Sequence, residues 1–183
     1  SAGQRSRREL ENRSLNAETI ATFRYGYAPA GGRDTLTGLF ASTHVPLPLQ
    51  LRTGLVVQRE DGRVVDRFRN RLMIPIARDT GAVIAFGGRA LDEGQVPKYL
   101  NSPETPIYTK GRTLYGLDIT KAAVRKQNYC VLVEGYFDLA QVWQAGIQAV
   151  AALCGTAMTP PQVHVLKRFT SKIVLSLDPD AAG

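Results

Sequence analysis

Residues 128–138 read NYCVLVEGYFD, and residues 172–180 read KIVLSLDPD. Each stretch contains a short, continuous apolar run, which is typical of a strand buried on both faces of a parallel sheet. A third such run, AVAAL at residues 149–153, lies between them. Helical patterns separate the three runs: YFDLAQVWQAGI follows the first, and Thr159 precedes Pro160-Pro161, where proline suits the first turn of a helix. The alternation predicts a parallel α/β sheet with right-handed crossovers.

The chain upstream of these strands has a different pattern. Short apolar runs surround Asp61-Gly62 and residues 79–81, which predicts two antiparallel hairpins. Asn16 is placed to cap a short helix that starts at the next residue. HVPLPLQ, at residues 44–50, predicts an extended connection because each proline restricts the residue before it. GQRSRRELENR, at residues 3–13, is highly charged and predicts an exposed, frayed helix.

These two patterns predict two parts of the chain. We expect a basic α+β subdomain over residues 1–118 and a parallel α/β part over residues 119–183. The last residues, DPDAAG, follow directly on the third predicted strand. Because a parallel sheet of three strands has poor cover, we expect this part to be a fragment of a larger α/β domain.

Composition excludes several classes of protein. With 183 residues, 44% hydrophobic and 21% charged, the chain matches a globular protein and not a disordered, collagen-like or coiled-coil one. No apolar run reaches the roughly 18–20 residues that span a bilayer, and the first residues lack the apolar core of a secretory signal. Cys130 and Cys154 match no zinc motif, so we expect two buried, reduced thiols in a cytoplasmic protein.

Positive charge is concentrated in the first two-thirds of the chain. Residues 1–126 hold 20 of the 23 lysines and arginines and 12 of the 16 acids, a net charge of +8. Residues 127–183 hold the remainder, a net charge of −1. A basic region of this kind favours a polyanionic partner, with nucleic acid the first candidate.

The acids of the last third fall at the predicted strand ends. Glu134 ends one strand, Asp178 and Asp180 follow another, and Asp138 lies one helical turn beyond Glu134. Carboxyl ends of parallel strands meet at one edge, so these groups should converge there and require a cation. Oxygen ligands without histidine or thiol favour Mg²⁺ or Mn²⁺. The alternative is that Asp178 or Asp180 only caps the helix after it and that Asp138 pairs with a nearby lysine or arginine. Gly135 is either a simple turn residue or a point of close ligand approach.

The basic residues allow two interpretations as well. Arg69 and Arg71 alternate as on one face of a strand, Arg89 follows two glycines, and Lys98 and Lys110 flank proline-rich loops, where binding residues are common. Any one of them alone is better explained as a solvated surface lysine or arginine, whereas the set together favours a binding groove. Three interleaved tyrosines can either stack on the bases of single-stranded DNA or pack in the core: Tyr99, Tyr108 and Tyr115.

Several segments together resemble a known family. Glu134-Gly135-Tyr136-Phe137-Asp138, followed by Asp178-Pro179-Asp180-Ala181-Ala182-Gly183, resembles the Toprim signature E-G-Y-x-D then D-x-D-x-A-G. The upstream segments resemble the catalytic core of bacterial replicative DNA primases of the DnaG type: RSLNAETIATFRYGYAP, RFRNRLMIPIARD, GAVIAFGGR and PKYLNSPETPIYTKGRTLYGL. The resemblance runs from about Arg13 to the end of the chain.

The resemblance implies roles for individual residues. Glu134, Asp178 and Asp180 would bind the metal, with Glu134 the catalytic residue and with Asp138 and Gly135 supporting the cluster. The residues that would line a groove for template and incoming nucleotides are Arg13, Arg67, Arg69, Arg89, Lys98, Asn101 and Lys110.

The resemblance also implies an activity and its partners. Such primases are DNA-directed RNA polymerases that make short RNA primers on single-stranded DNA from ribonucleoside triphosphates, with Mg²⁺ or Mn²⁺. Zinc is expected only in an N-terminal domain that is absent here, and contact with the replicative helicase only through an absent C-terminal domain. A monomer in the bacterial cytoplasm, associated with the nucleoid and with no membrane partner, is expected. Two alternatives remain open: a module that only binds single-stranded nucleic acid, and a Toprim nuclease or topoisomerase.

Overall fold

An antiparallel sheet and a parallel sheet organise the two parts of the chain in the computed structural model, which describes residues 3–31, 35–155 and 157–178. The antiparallel sheet has the strand order β1-β4-β5-β6, and β2 and β3 form a separate antiparallel pair. These strands are β1 (Gly26–Ala28), β2 (Val56–Gln58), β3 (Val64–Asp66), β4 (Arg71–Ala77), β5 (Val83–Ala90) and β6 (Tyr99–Asn101). The predicted hairpins are confirmed: β2 pairs with β3 and β4 with β5.

The parallel sheet has the order β8-β7-β9, with β7 in the centre. Its strands are β7 (Cys130–Val133), β8 (Val150–Ala152) and β9 (Ile173–Leu175). The helices are α1 (Gln4–Asn12), α2 (Ala17–Thr22), α3 (Leu36–Ser42), α4 (Leu47–Arg52), α5 (Leu117–Gln127), α6 (Tyr136–Gln144) and α7 (Pro160–Lys167), and a 3-10 turn covers Lys110–Arg112. The predicted architecture, a parallel sheet flanked by helices after an α+β region, is confirmed.

Two helices start with the capping residue that the sequence predicts. The Asn16 side chain accepts a hydrogen bond from the backbone N–H of Thr19 (2.8 Å) at the start of α2. At α7, the Thr159 hydroxyl accepts from the backbone N–H of Gln162 (3.2 Å), while the Gln162 side chain accepts from the backbone N–H of Thr159 (3.0 Å). This reciprocal pair satisfies two donors that the helix itself leaves unpaired.

Two expectations for the N-terminal part were wrong. The segment expected to be an extended connection instead contains α4, with Pro46 as its N-cap and Pro48 in its first turn, where a missing N–H costs nothing. Helix α1 was expected to be exposed and frayed, but its residue Leu10 is buried in the main apolar cluster. The charged residues around Leu10 hide this buried apolar position in the sequence.

The last strand is also less buried than its apolar sequence predicts. Ile173, Val174 and Leu175 are 38%, 52% and 63% exposed. Strand β9 lies at the edge of the sheet and pairs only with β7 among the described residues. Its apolar side chains therefore lack the cover that the central strand receives.

The two sheets share one apolar cluster. Leu72 and Ile74 of β4 belong to the same cluster as Tyr136 and Leu139 of α6, and all four are buried. A Cβ on Gly87 of β5 would lie 2.9 Å from the Tyr136 ring, so the absence of a side chain there allows the close contact. The boundary near residue 118 remains a prediction, because this packing crosses it.

A backbone bridge joins the same two parts. Tyr115 and Ala152 of β8 exchange two backbone hydrogen bonds, of 3.0 and 3.1 Å, in an antiparallel bridge. The segment before α5 thereby adds to the free edge of the parallel sheet. Within the described residues, no helix has the length and apolar composition needed to cross a membrane.

Candidate active site

A cleft of about 490 Å³ lies where the carboxyl edge of the parallel sheet faces β6 and the 3-10 turn. The parallel part contributes Glu134, Gly135, Tyr136, Phe137, Asp138, Cys154, Gly155 and Asp178. The basic part contributes Arg13, Tyr99, Asn101 and Lys110. Acidic and basic candidates from distant parts of the sequence therefore meet in one cleft.

Glu134 connects the ends of all three parallel strands. It follows β7 directly, and its backbone carbonyl accepts a hydrogen bond from the N–H of Cys154 (2.7 Å), just after β8. Its carboxylate Oε1 accepts from the backbone N–H of Asp178 (2.9 Å), after β9. The Glu134 carboxylate is thus held against the segment that carries Asp178.

Asp138 fixes the turn that follows Glu134. Its carboxylate Oδ2 accepts a hydrogen bond from the backbone N–H of Gly135 (2.9 Å), the N-cap of α6. A Cβ on Gly135 would lie 2.5 Å from that same oxygen, so a side chain at position 135 would displace the carboxylate. Asp138 therefore caps the start of α6 and, among the described residues, makes none of the ion pairs that the alternative for it expected. It lies beside the metal candidates in the cleft.

The cleft carboxylates share the cleft with the cations Arg13 and Lys110. Within the ranges that the structure describes, none of Glu134, Asp138 and Asp178 takes part in an ion pair. Carboxylates that lack a direct ion-pair partner repel one another, and their oxygens are the donors that hard divalent cations prefer. The residues present therefore fit a divalent metal ion.

The described carboxylates do not by themselves complete a metal site. No group of three His, Cys, Asp or Glu side chains that could hold a metal ion occurs within the described part of the chain. Asp180, the remaining sequence candidate, lies outside the described residues. The structure therefore places Glu134 and Asp178 together and leaves the role of Asp180 as a prediction.

Arg13 follows α1 and lines the cleft, where an ion pair and an aromatic ring hold its side chain. Its Nε donates to the Glu9 carboxylate (2.8 Å), and its guanidinium lies 4.1 Å from the centre of the Phe137 ring. The same Glu9 oxygen accepts from Arg89 Nε (2.6 Å), and Arg89 also donates to the Tyr99 hydroxyl (3.0 Å). Burial alone would raise the pKa of Glu9, but the two guanidiniums outweigh it and lower that pKa. Arg89 thus supports the cleft wall and does not line the cleft.

Asn101 and Lys110 also line the cleft. The Asn101 side-chain oxygen accepts from the Tyr136 hydroxyl (2.8 Å), and Lys110 Nζ donates to the Gly155 carbonyl (3.3 Å). Both contacts join the basic part to the parallel part. Arg67 lies behind β6, where Nε and Nη2 donate to the Asn101 carbonyl (3.3 and 3.2 Å), and burial lowers its pKa. Arg67 therefore holds the strand that presents Asn101.

The other basic candidates lie outside the cleft. Arg69 and Lys98 are exposed, in the segments before β4 and β6. Arg71, expected on the same face as Arg69, is 3% exposed and donates to the Gly88 carbonyl (3.1 Å). Burial lowers the pKa of Arg71. The alternation of charged and uncharged residues suggested a basic face here, but the sheet buries one of its members.

The sequence left open whether Tyr99, Tyr108 and Tyr115 stack on DNA bases or pack in the core, and the structure separates them. Tyr108 and Tyr115 are buried in the core, at 3% and 4% exposure. Tyr99 is 40% exposed and lines the cleft. Only Tyr99 of the three is placed to stack on a base.

Sequence reasoning missed Glu9, which holds both Arg13 and Arg89. The four-residue spacing of Glu9 and Arg13 on a helix was the available signal, since such pairs face each other. Its link to Arg89, 80 residues away, has no local signal.

Comparison with known proteins places this geometry among the primases. Residues 1–121 match the family model for the DNA primase catalytic core, N-terminal domain, and residues 128–183 match the model for the Toprim domain. The DNA primase of Halalkalibacterium halodurans is 43% identical over 182 residues, covering 99% of this chain and 30% of the relative. The DNA primase of Synechococcus elongatus is 47% identical over 175 residues, covering 94% of this chain and 25% of the relative.

Solved structures agree. The RNA polymerase domain of Mycobacterium tuberculosis primase DnaG superposes with a TM-score of 0.89 at 32% identity, covering 99% of this chain and 62% of that one. A DnaG primase catalytic domain bound to single-stranded DNA gives a TM-score of 0.86 at 37% identity, covering 100% and 56%. This chain therefore spans less than a third of the curated relatives and somewhat more than half of these solved domains.

Proposed function

Because the chain belongs to the family of DNA primase catalytic cores, we propose that it forms the nucleotidyl-transfer site of a DNA-directed RNA polymerase. The enzyme makes short RNA primers on a single-stranded DNA template from ribonucleoside triphosphates. One observation carries the proposal. Glu134 and Asp178 share a cleft with Arg13, Asn101 and Lys110, and each group comes from a different part of the sequence.

A divalent metal ion belongs to this site. Toprim primases use divalent metals in general, and we assign the ion here to Glu134 and Asp178, with Asp180 as the third ligand and Mg²⁺ or Mn²⁺ as the metal. Such an ion, when bound, stabilises the charge that develops on the oxygens of the reacting phosphate. Asp138 and Gly135 act indirectly, by fixing the turn that presents Glu134.

The residues that the basic part contributes to the cleft, which we call the basic wall, hold the anionic substrates. In the reaction, the 3′ oxygen of one ribonucleotide bonds to the α-phosphorus of the next, and the bond to the leaving pyrophosphate breaks. Arg13 and Lys110 are the cations that line the cleft, so they are placed to bind nucleotide or primer phosphates. Tyr99 is placed to stack on a base of the template. The exposed Arg69 and Lys98 extend this positive surface outside the cleft.

Single-stranded DNA is the proposed template partner. The solved DnaG catalytic domain bound to single-stranded DNA covers all of this chain, and the net charge of +8 on residues 1–126 favours a polyanion. The helicase partner, the zinc-binding domain, the monomeric state and the cytoplasmic, nucleoid-associated location remain predictions from the family.

Glu134→Gln tests the proposal, because it keeps the shape of the side chain and its acceptor for the Asp178 N–H but removes the charge. We expect primer synthesis by the full-length protein to fall by at least about a hundredfold, since a cation bound by carboxylates loses a ligand charge. Mn²⁺ binding, followed by electron paramagnetic resonance, should weaken in parallel.

Glu60→Gln is the matched control, because Glu60 is an exposed carboxylate in the β2–β3 turn, away from the cleft. It should leave both readouts unchanged. If Glu134→Gln binds Mn²⁺ and synthesises primers as the parent does, Glu134 has no catalytic role. If the full-length protein binds single-stranded DNA without extending primers, the chain is a binding module; if it cleaves DNA, it is a nuclease.

A further inference from the structure

A second pocket, of about 330 Å³, lies beside the active-site cleft. The 3-10 turn separates the two: Lys110 lines the cleft, and Arg112, two residues later, lines the second pocket. The mechanism proposed above uses none of the charged residues of this second pocket, which we call the arginine pocket.

Three arginines from separate segments converge on the arginine pocket: Arg78 follows β4, Arg112 ends the 3-10 turn, and Arg168 follows α7. Asp79 is the one acid among the described lining residues, and it pairs with Arg168 (3.1 Å). The lining therefore carries a formal net charge of +2.

The three arginines differ in the hydrogen bonds and ion pairs that their side chains already make. Arg78 donates one Nη2 hydrogen bond to the Ile107 carbonyl (3.0 Å), which anchors it at the pocket rim. Within the described residues, the Arg112 guanidinium has no hydrogen bond and no ion pair. An exposed guanidinium with all five donors free, between two other arginines, is suited to bind an anion in a bidentate manner.

The remaining lining is largely apolar and comes from both parts of the chain. Ile84 and Ile107 contribute from the antiparallel part, and Leu117 and Val165 from α5 and α7. An apolar floor below a basic rim fits a ligand with a flat, weakly polar group and a multiply charged group. A nucleotide has this combination, and the volume lies at the lower end of the range for small-molecule sites.

We propose that the arginine pocket is a second nucleotide site, which takes a free nucleoside triphosphate with its phosphates on Arg112, Arg168 and Arg78. Three guanidiniums around one pocket suit a compact polyphosphate. A nucleic-acid strand is instead bound by lysine and arginine side chains spread along a groove. The site is distinct from the proposed catalytic cleft and does not depend on the primase activity.

The turn between the two pockets is held from the α7 side. The Thr159 hydroxyl donates to the Gly111 carbonyl, and Gln162 Nε2 donates to the Thr113 carbonyl (2.9 Å). A nucleotide bound to Arg112 therefore stabilises a turn that also carries Lys110. We expect hydrogen exchange at the amides of residues 110–113 to slow when the nucleotide binds.

Binding of ATP to the purified protein tests the proposal. Calorimetry is done in the presence of EDTA, so that no divalent metal supports binding in the catalytic cleft. We expect Arg112→Ala and Arg168→Ala each to weaken ATP binding by about tenfold or more, since each removes charged hydrogen bonds to phosphate. Arg112→Ala is the decisive variant, because the Arg112 guanidinium makes no hydrogen bond or ion pair within the described residues, and its backbone hydrogen bond to Thr109 does not depend on the side chain. We therefore expect the variant to fold as the parent does.

Two control variants locate the ligand. Arg59→Ala removes an exposed arginine from the β2–β3 turn and should leave ATP binding within twofold of the parent. Arg13→Ala removes a cation of the catalytic cleft, so it reports on any ATP that binds there without metal, whereas Arg112→Ala reports on the arginine pocket. Slower exchange at residues 110–113 with ATP, absent in Arg112→Ala, would support the assignment.

Several outcomes would overturn the proposal. The parent protein could fail to bind ATP, or Arg112→Ala could bind it as the parent does. Equal weakening by Arg59→Ala would show only general attraction to positive charge. Loss of binding in Arg13→Ala alone would place the nucleotide in the catalytic cleft. Binding of an oligothymidylate that depends on Arg112, without ATP binding, would assign the pocket to a DNA strand instead.

Discussion

The acidic and the basic residues of the cleft reach it in different ways. Glu134 and Asp178 are placed by the backbone, because each follows a strand of one parallel sheet whose ends lie at the same edge. Arg13 is placed by side-chain contacts, to Glu9 and to the Phe137 ring. The acidic wall therefore depends on topology, and the basic wall depends on a network of pairs between distant segments.

The packing between the two walls gives the largest effect that we predict. Leu72 of β4 and Leu132 of β7 are fully buried, one in each main apolar cluster. Replacing either by alanine leaves a cavity, so we expect each change to lower the free energy of unfolding by about 2–5 kcal/mol. Urea unfolding followed by circular dichroism measures this. Leu39→Ala, at a position 55% exposed, is the control and should cost less than about 0.5 kcal/mol.

The shape of these unfolding curves reports whether the acidic and basic walls fold together. Because one apolar cluster contains residues from both sheets, both variants should unfold in a single transition that is shifted to lower urea. Two transitions, with Leu132→Ala shifting only one of them, would mean that the acidic and basic walls fold as separate domains. The proposed division near residue 118 would then be a true domain boundary.

The contrast between residues placed by the backbone and residues placed by side-chain contacts explains which features the sequence could predict. Continuous apolar runs ending in acids predicted β7, the crossover helices and the position of Glu134 beside Asp178, because strand direction alone brings strand ends together. Strand β9 was predicted as an element, but its exposure was not, since burial depends on what packs against an edge. Helix α4 was missed because prolines in a first helical turn and in an extended segment look alike.

The basic wall was harder to predict for a physical reason. Arg13, Arg67, Arg71 and Arg89 look alike in the sequence, but only Arg13 lines the cleft. Arg67 and Arg71 bind backbone carbonyls, and Arg89 binds Glu9. Which guanidinium finds an internal partner depends on contacts across 17 to 80 residues, for which one sequence carries no local signal.

Glu9→Gln gives the next largest effect, and it acts on the basic wall alone. The change removes the charge shared by Arg13 and Arg89, so we expect the free energy of unfolding to fall by about 1–2 kcal/mol at pH 7. The same urea experiment measures it. Glu11→Gln, at an exposed position on the same helix, should have almost no effect.

The pH dependence of stability distinguishes a charge effect from a packing effect. The folded protein holds the pKa of Glu9 below its usual value, so its contribution is complete above the unfolded pKa of about 4.3 and is lost as the pH falls through the folded pKa. The difference between the parent and Glu9→Gln should therefore shrink below about pH 4. A difference that stays constant from pH 7 to pH 3 would contradict the charge network.

The smallest effect concerns how the basic residues contact DNA. Lys110 lines the cleft, whereas Lys98 is exposed outside it, and both are proposed to contact phosphates. Each contact to single-stranded DNA releases a counterion, so Lys98→Ala and Lys110→Ala should each reduce the slope of log affinity against log salt by about 0.7. Fluorescence anisotropy with an oligothymidylate at several salt concentrations measures this slope. Lys126→Ala, an exposed lysine at the end of α5, should leave it unchanged. A reduced slope in Lys110→Ala but not in Lys98→Ala would confine the DNA path to the cleft. If all three variants have the same slope as the parent, neither Lys98 nor Lys110 contacts the strand.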